Sequence, residues 1–181
     1  MVTYSAKIVM LGEGTVGKTS LIRRYVQYTF SHDYITTIGS NFLIKKIELE
    51  EGKKITMQLW DLSGQDTFRT IRSQYYLHAR GGILVFDLTR QSTLYQLEKW
   101  QSDFIEKVGQ VPLMLFGNKS DLRDQIAVSQ EEAKMMAQKL GATYYETSAL
   151  DGSNVEPGFL DLAWKIVNYV TSKREQLTSR K

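Results

Sequence analysis

Gly12-Glu13-Gly14-Thr15-Val16-Gly17-Lys18-Thr19 lies between the apolar run Ala6 to Leu11 and the segment Ser20-Leu21-Ile22. It matches G-x-x-x-x-G-K-[ST], the loop that cradles a phosphate between a strand and a helix. The spacing has a physical purpose. Glycines let the backbone wrap closely, successive N–H groups point inward, and the following helix adds its positive N-terminal end. Lys18 then supplies a point charge, and Thr19 a hydroxyl for Mg²⁺. A chance glycine-rich turn is the competing explanation, but at average residue usage this string arises in about one chain in a hundred of this length.

Outward from that loop, strand and helix patterns alternate along the chain, which predicts an α/β fold with a largely parallel sheet covered on both faces. Ala6 to Leu11 is the first strand, and Leu21, Ile22, Tyr25 and Val26 form the buried stripe of the next helix. Tyr28 to Ser40 lacks periodicity and reads as a long loop, a length more often functional than idle. Phe42 to Leu49 and Ile55 to Leu59 flank Glu50-Glu51-Gly52-Lys53, a hairpin that makes one edge strand antiparallel. Asp66 to His78 reads as a short helix and Gly82 to Leu88 as a buried strand.

A single amphipathic helix is expected over roughly Ser92 to Val108, followed by a strand at Val111 to Phe116. Ser129 and Glu132 form a capping box ahead of Ala133 to Leu140, with Gly141 as C-cap. Thr143 to Thr147 is the last strand, and Val155 to Val170 the last helix, with Pro157 in its first turn.

The chain has 181 residues, 42% of them apolar, and no cysteine. That suits one soluble domain without disulfides or thiolate metal sites. A net charge of +3 is concentrated in residues 171–181, where Lys173, Arg174, Arg180 and Lys181 oppose Glu175. The body is therefore neutral and shows no basic face for nucleic acid. His32 and His78 are isolated and lack ligand spacing, so they read as surface or packing residues. No apolar run reaches membrane-span length and no leader pattern is present, which makes the cytoplasm the default location.

Four distant strings fall at the same end of the predicted sheet: GEGTVGKT after the first strand, DLSG after the third, NKSD after the fifth and SAL after the sixth. Ligands of open α/β sheets bind outside the carboxyl ends of the strands.

With these strings in place, the chain resembles a Ras-superfamily small GTPase over essentially its whole length, and most of all the Rab-like branch. IGSNF at Ile38 to Phe42, MQLWD at Met57 to Asp61, QDTFRT at Gln65 to Thr70, YYLHA at Tyr75 to Ala79 and LVFDLT at Leu84 to Thr89 carry the branch assignment. It is a divergent example, with Ser40-Asn41, Leu62-Ser63 and Leu77-His78 in place of the usual pairs and no C-terminal cysteine.

The resemblance implies a P-loop G domain at 1–170 and a short basic flexible tail at 171–181. The sheet would have six mostly parallel strands, one antiparallel edge strand, and helices on both faces. It implies that Gly12, Glu13, Gly14, Thr15, Val16, Gly17, Lys18, Thr19 and Ser20 hold the phosphates of GTP or GDP. Thr19, Thr37 and Asp61 would serve Mg²⁺, while Gln65 orients attacking water beside Lys18, Thr37 and the Gly64 N–H. Phe30 and Tyr34 would flank the nucleotide, and Asn118, Lys119, Asp121, Ser148, Ala149 and Leu150 would surround guanine.

An exchange factor, a GTPase-activating protein and effectors are expected at residues 31–42 and 62–80, around a monomer. The function implied is a switch in membrane trafficking. The competing class is a work-coupled P-loop NTPase or a small-molecule kinase. The tail has the polarity and charge of a lipidated one but no thiol, so this chain is expected to stay off membranes unless the natural protein continues to a cysteine.

Overall fold

The computed structural model describes residues 2–29, 40–62 and 69–178. In chain order these form β1 (Val2–Leu11), α1 (Lys18–Gln27), β2 (Ser40–Glu48), β3 (Lys53–Leu62), α2 (Arg69–Tyr76) and β4 (Ala79–Asp87). There follow α3 (Gln91–Tyr95), α4 (Leu97–Val108), β5 (Leu113–Asn118), α5 (Gln130–Leu140), β6 (Ala142–Glu146) and α6 (Val155–Thr178). The strands make one sheet in the order β2-β3-β1-β4-β5-β6. β2 pairs antiparallel with β3, and every other pairing is parallel. This is the expected mostly parallel sheet with one antiparallel edge.

Two-residue periodicity sorts the core. Ile8 and Met10 of β1 pack with Leu21 and Tyr25 of α1 and Phe159 and Ile166 of α6. Val9 and Leu11 face the other way, into Tyr76 of α2, Trp100 and Phe104 of α4, and Ala133 and Leu140 of α5. Both faces of the sheet are covered at β1, β4 and β5, so Ile8 to Leu11, Ile83 to Phe86 and Leu113 to Phe116 run apolar without a break. Tyr25 lies flat on Phe159 with ring centroids 4.1 Å apart, and Phe116 meets Phe159 edge-on at 5.5 Å. Each such ring contributes roughly 1.5–3 kcal/mol by leaving water.

Two expectations require correction. The helix anticipated over Ser92 to Val108 is two, α3 and α4, which meet at Gln96. Around the junction Lys99 N–H donates to the Gln96 carbonyl at 3.2 Å, an i to i+3 contact that tightens the turn locally. The last helix does not stop at Val170 but continues to Thr178. There the Thr178 hydroxyl donates to the carbonyls of Arg174 and Glu175. Among the described residues no helix is long and apolar enough to cross a membrane.

Candidate functional site

Seven polar or charged side chains are buried among the described residues: Lys18, Asp61, Asp87, Thr93, Asn118, Thr147 and Ser148. Burying such groups is costly unless partners satisfy them. All seven lie at the carboxyl ends of β3, β4, β5 and β6, or in the segments that leave β1, β4 and β6 there. The sheet therefore gathers its expensive groups along one edge.

The loop after β1 is held from within and from behind. Lys18 Nζ donates to the Gly12 and Glu13 carbonyls, both at 2.7 Å. Asn118 Nδ2 donates to the Val16 carbonyl at 2.9 Å, and Arg90 Nη2 to the Gly14 carbonyl at 3.2 Å. Gly12 and Gly17 have φ of 134° and 101°. A β-carbon on Gly12 would lie 2.2 Å from the Val85 carbonyl oxygen, so only glycine lets the loop pass this close to β4. α1 begins at Lys18 with no side-chain cap and no acidic residue in its first turn, and Ser20 continues it. The positive end of that helix is thus not neutralised by a side chain of its own, which suits an anion.

Thr19 and Asp61, from α1 and β3, are brought into direct contact: the threonine hydroxyl donates to the carboxylate. Both are hard oxygen donors of the type that Mg²⁺ takes.

Across the sheet edge, the loops after β5 and β6 are interlocked. Asn118 Oδ1 accepts from Ala149 N–H at 3.1 Å. Ser148 Oγ donates to Asp121 Oδ1 at 2.6 Å while accepting from the Leu150 and Asp151 N–H groups, both at 3.2 Å. One carboxylate oxygen of Asp121 is thereby fixed in direction. Arg24, on α1, donates to the Ala149 carbonyl at 2.7 Å and also to the Leu150 carbonyl. The helix that follows the first loop therefore also braces the last.

Sequence reasoning missed Asp87, at the end of β4. Its carboxylate is 1% exposed and receives Lys119 Nζ at 2.6 Å, Arg90 Nε at 3.0 Å, and the Thr89 N–H and hydroxyl at 2.9 and 2.7 Å. Burial alone would raise its pKa, but the bonds from Lys119 and Thr89 outweigh that effect and hold it below the ordinary carboxylate value. The signal was available, since an acidic residue closes an otherwise apolar buried run, GILVFD. Trp100 is buried, and its indole N–H donates to Glu13 Oε1 at 2.8 Å.

Of the residues singled out by sequence, Gly12 to Ser20, Asp61, Asn118, Lys119, Asp121 and Ser148 to Leu150 share this edge. Phe30, Tyr34, Thr37, Gly64 and Gln65 lie outside the described residues. Beside the site, Phe42, Trp60 and Tyr75 form an aromatic row, with centroids 5.0 Å apart for the first pair and 5.9 Å for the second.

A family model described as the Ras family matches residues 7–168. The chain belongs to the Ras family. Ras-related protein Rab-21 of Bos taurus is 39% identical to this Ras-family chain over 91% of its length and 74% of the relative's. Ras-related protein RIC1 of Oryza sativa subsp. japonica is 38% identical over 94% and 84% of the two lengths. Ras-related protein Rab-11A of Dictyostelium discoideum is 41% identical over 93% and 78%. The Rab-like member of the Ras family seen here is accordingly a small GTPase, a guanine-nucleotide switch that hydrolyses GTP and serves membrane trafficking. The work-coupled NTPase and kinase readings find no support in these matches.

Proposed function

We propose the following division of labour for the switch. Gly12 to Ser20 wrap the phosphates, with Lys18 as the point charge, and Asn118, Lys119 and Asp121 recognise guanine, buttressed by Ser148, Ala149 and Leu150. The observation that carries this reading is the Ser148–Asp121 contact at 2.6 Å, which aims a carboxylate rather than leaving it to rotate. A site built to accept from guanine leaves Asp121 unpaired against adenine, and such mismatches give strong discrimination. Thr19 and Asp61 would hold a magnesium ion, which supplies charge neutralisation for the phosphates. Phe30 and Tyr34 belong to the nucleotide pocket, Thr37 and Gly64 to nucleotide-state sensing, and Gln65 to orienting water.

Exchange factors, activating proteins and effectors would read residues 31–42 and 62–80. The Phe42–Trp60–Tyr75 row supports that surface, because Phe42 is exposed and joins β2 to β3 and α2. The working unit is a monomeric G domain at 1–170 in the cytoplasm.

The test is competition between GTP and ATP for the purified chain with Mg²⁺. Asp121→Asn should move preference toward xanthine nucleotides, and equal affinity of the parent for ATP and GTP would sink the base assignment. Unaided hydrolysis should run on the order of 10⁻⁴ to 10⁻³ per second, the scale of an unassisted Ras-type enzyme. Gln65→Leu should slow it further. A mutant as fast as the parent would remove Gln65 from its role.

A further inference from the structure

Thr15 sits in the phosphate-binding loop with φ of 66°, a left-handed conformation that is uncommon for any residue with a side chain and an outlier for a β-branched one. Such a conformation persists only when surrounding contacts over-determine it. One such contact is on the preceding peptide. Arg90 Nη2 donates to the Gly14 carbonyl at 3.2 Å. In a planar trans peptide the carbonyl of one residue and the N–H of the next point in opposite directions. Holding the Gly14 oxygen toward Arg90 therefore turns the Thr15 N–H away from it.

Arg90 is in turn anchored. Its Nε donates to Asp87 Oδ2 at 3.0 Å, and that same oxygen receives Lys119 Nζ at 2.6 Å. Asp87 is buried and its other oxygen is occupied by Thr89, so the carboxylate cannot swing to release the arginine. A second pin works by the same rule: Asn118 on the Val16 carbonyl sets the direction of the Gly17 N–H.

We infer that Arg90 is a positioning residue for phosphate binding, which aims the Thr15 N–H by holding the Gly14 carbonyl from its seat on Asp87. Asp87 is then a shared anchor for the base-side Lys119 and for the phosphate loop. Arginine suits the task because its planar fork reaches two acceptors at once, and a lysine has no second fixed donor. The inference rests on the guanine-nucleotide reading of this site.

The experiment follows release of fluorescently labelled GDP from the full 181-residue chain in Mg²⁺, for the parent, R90A, R90K, T15G and the R90A/T15G double variant, with thermal unfolding of each. R90A is expected to speed release on the order of tenfold, the scale of one charge-assisted hydrogen bond. R90K should fall between R90A and the parent. With glycine at position 15 the left-handed backbone is free of side-chain strain, so removal of Arg90 should then change release less than about threefold. Equal acceleration by R90A with threonine or glycine at 15 overturns the inference, as does a parental release rate in R90A. R90A that releases GDP normally but hydrolyses GTP more slowly also overturns it. A parental chain that retains no guanine nucleotide overturns the site reading and this inference together.

Discussion

Gly17 has no room for a side chain because Asn118 fills the space: a β-carbon there would lie 2.1 Å from the Asn118 amide nitrogen. That amide cannot retreat cheaply, since it is 2% exposed and bonded on one side to Val16 and on the other to Ala149. The loop after β1 and the loop after β5 are thus fitted to each other through a glycine.

The first expectation follows directly. Gly17→Ala should lower guanine-nucleotide affinity on the order of a hundredfold, combining left-handed strain at φ 101° with displacement of Asn118. Gly52 also has a positive φ, 68°, but open space around it. Gly52→Ala should therefore cost only about 1–2 kcal/mol of stability and leave nucleotide affinity alone. Titration with labelled GDP and urea unfolding separate the two, and equal affinity losses would show that the Asn118 contact is irrelevant.

Acid stability should depend on Asp87. Its folded-state pKa lies below the ordinary value of 3.8, through the Lys119 and Thr89 bonds that overcome burial. A depressed carboxylate contributes stability that is present above the unfolded pKa and is lost as pH falls through the folded one. Asp87→Asn should flatten the fall in stability below about pH 4, while costing about 1–3 kcal/mol at neutral pH through the lost charged bonds. Urea midpoints from pH 3 to 7 test both, and an acid limb parallel to the parent's would contradict the sign.

At the alkaline end Tyr25 acts in the opposite sense. Burial, with smaller contributions from Glu156 and Tyr28, raises its phenol well above the ordinary 10.0. A raised folded pKa means stability is complete below pH 10 and declines as pH climbs through the folded value. Tyr25→Phe keeps the stack on Phe159 and should make that decline shallower without abolishing it, because Tyr144 is raised by burial as well. Unfolding followed from pH 9 to 12 decides the point.

The cap of α5 offers a local check. Ser129 Oγ accepts from Glu132 N–H at 3.2 Å, and Glu132 Oε2 accepts from Ser129 N–H at 3.0 Å. Ser129→Ala should cost about 1 kcal/mol, and Ser129→Asp much less. Differential scanning calorimetry of the two variants would expose a cap that contributes nothing.

The sequence by itself determined the fold class and the order of strands and helices, and it offered the strings proposed here for phosphate and for guanine. Each is a local matter: the period of apolar residues, a capping box, or a string of neighbours whose spacing is the chemistry. Gly12 to Thr19 and Asn118 to Asp121 could be read because their residues are contiguous. Only the tertiary structure decided that Asp87 joins Lys119 to Arg90, that Arg90 reaches Gly14, that Trp100 holds Glu13 and that Arg24 braces Ala149. These partners are far apart in sequence and belong to residue types that serve equally well on a surface or in a core. Their roles arise from the parallel sheet, which delivers every strand's carboxyl end to one edge, where buried polar groups must satisfy one another. The break at Gln96 and the continuation of α6 past Val170 escaped prediction for the opposite reason: helical periodicity continues through the first and fades before the second, so hydrophobic pattern alone marks neither.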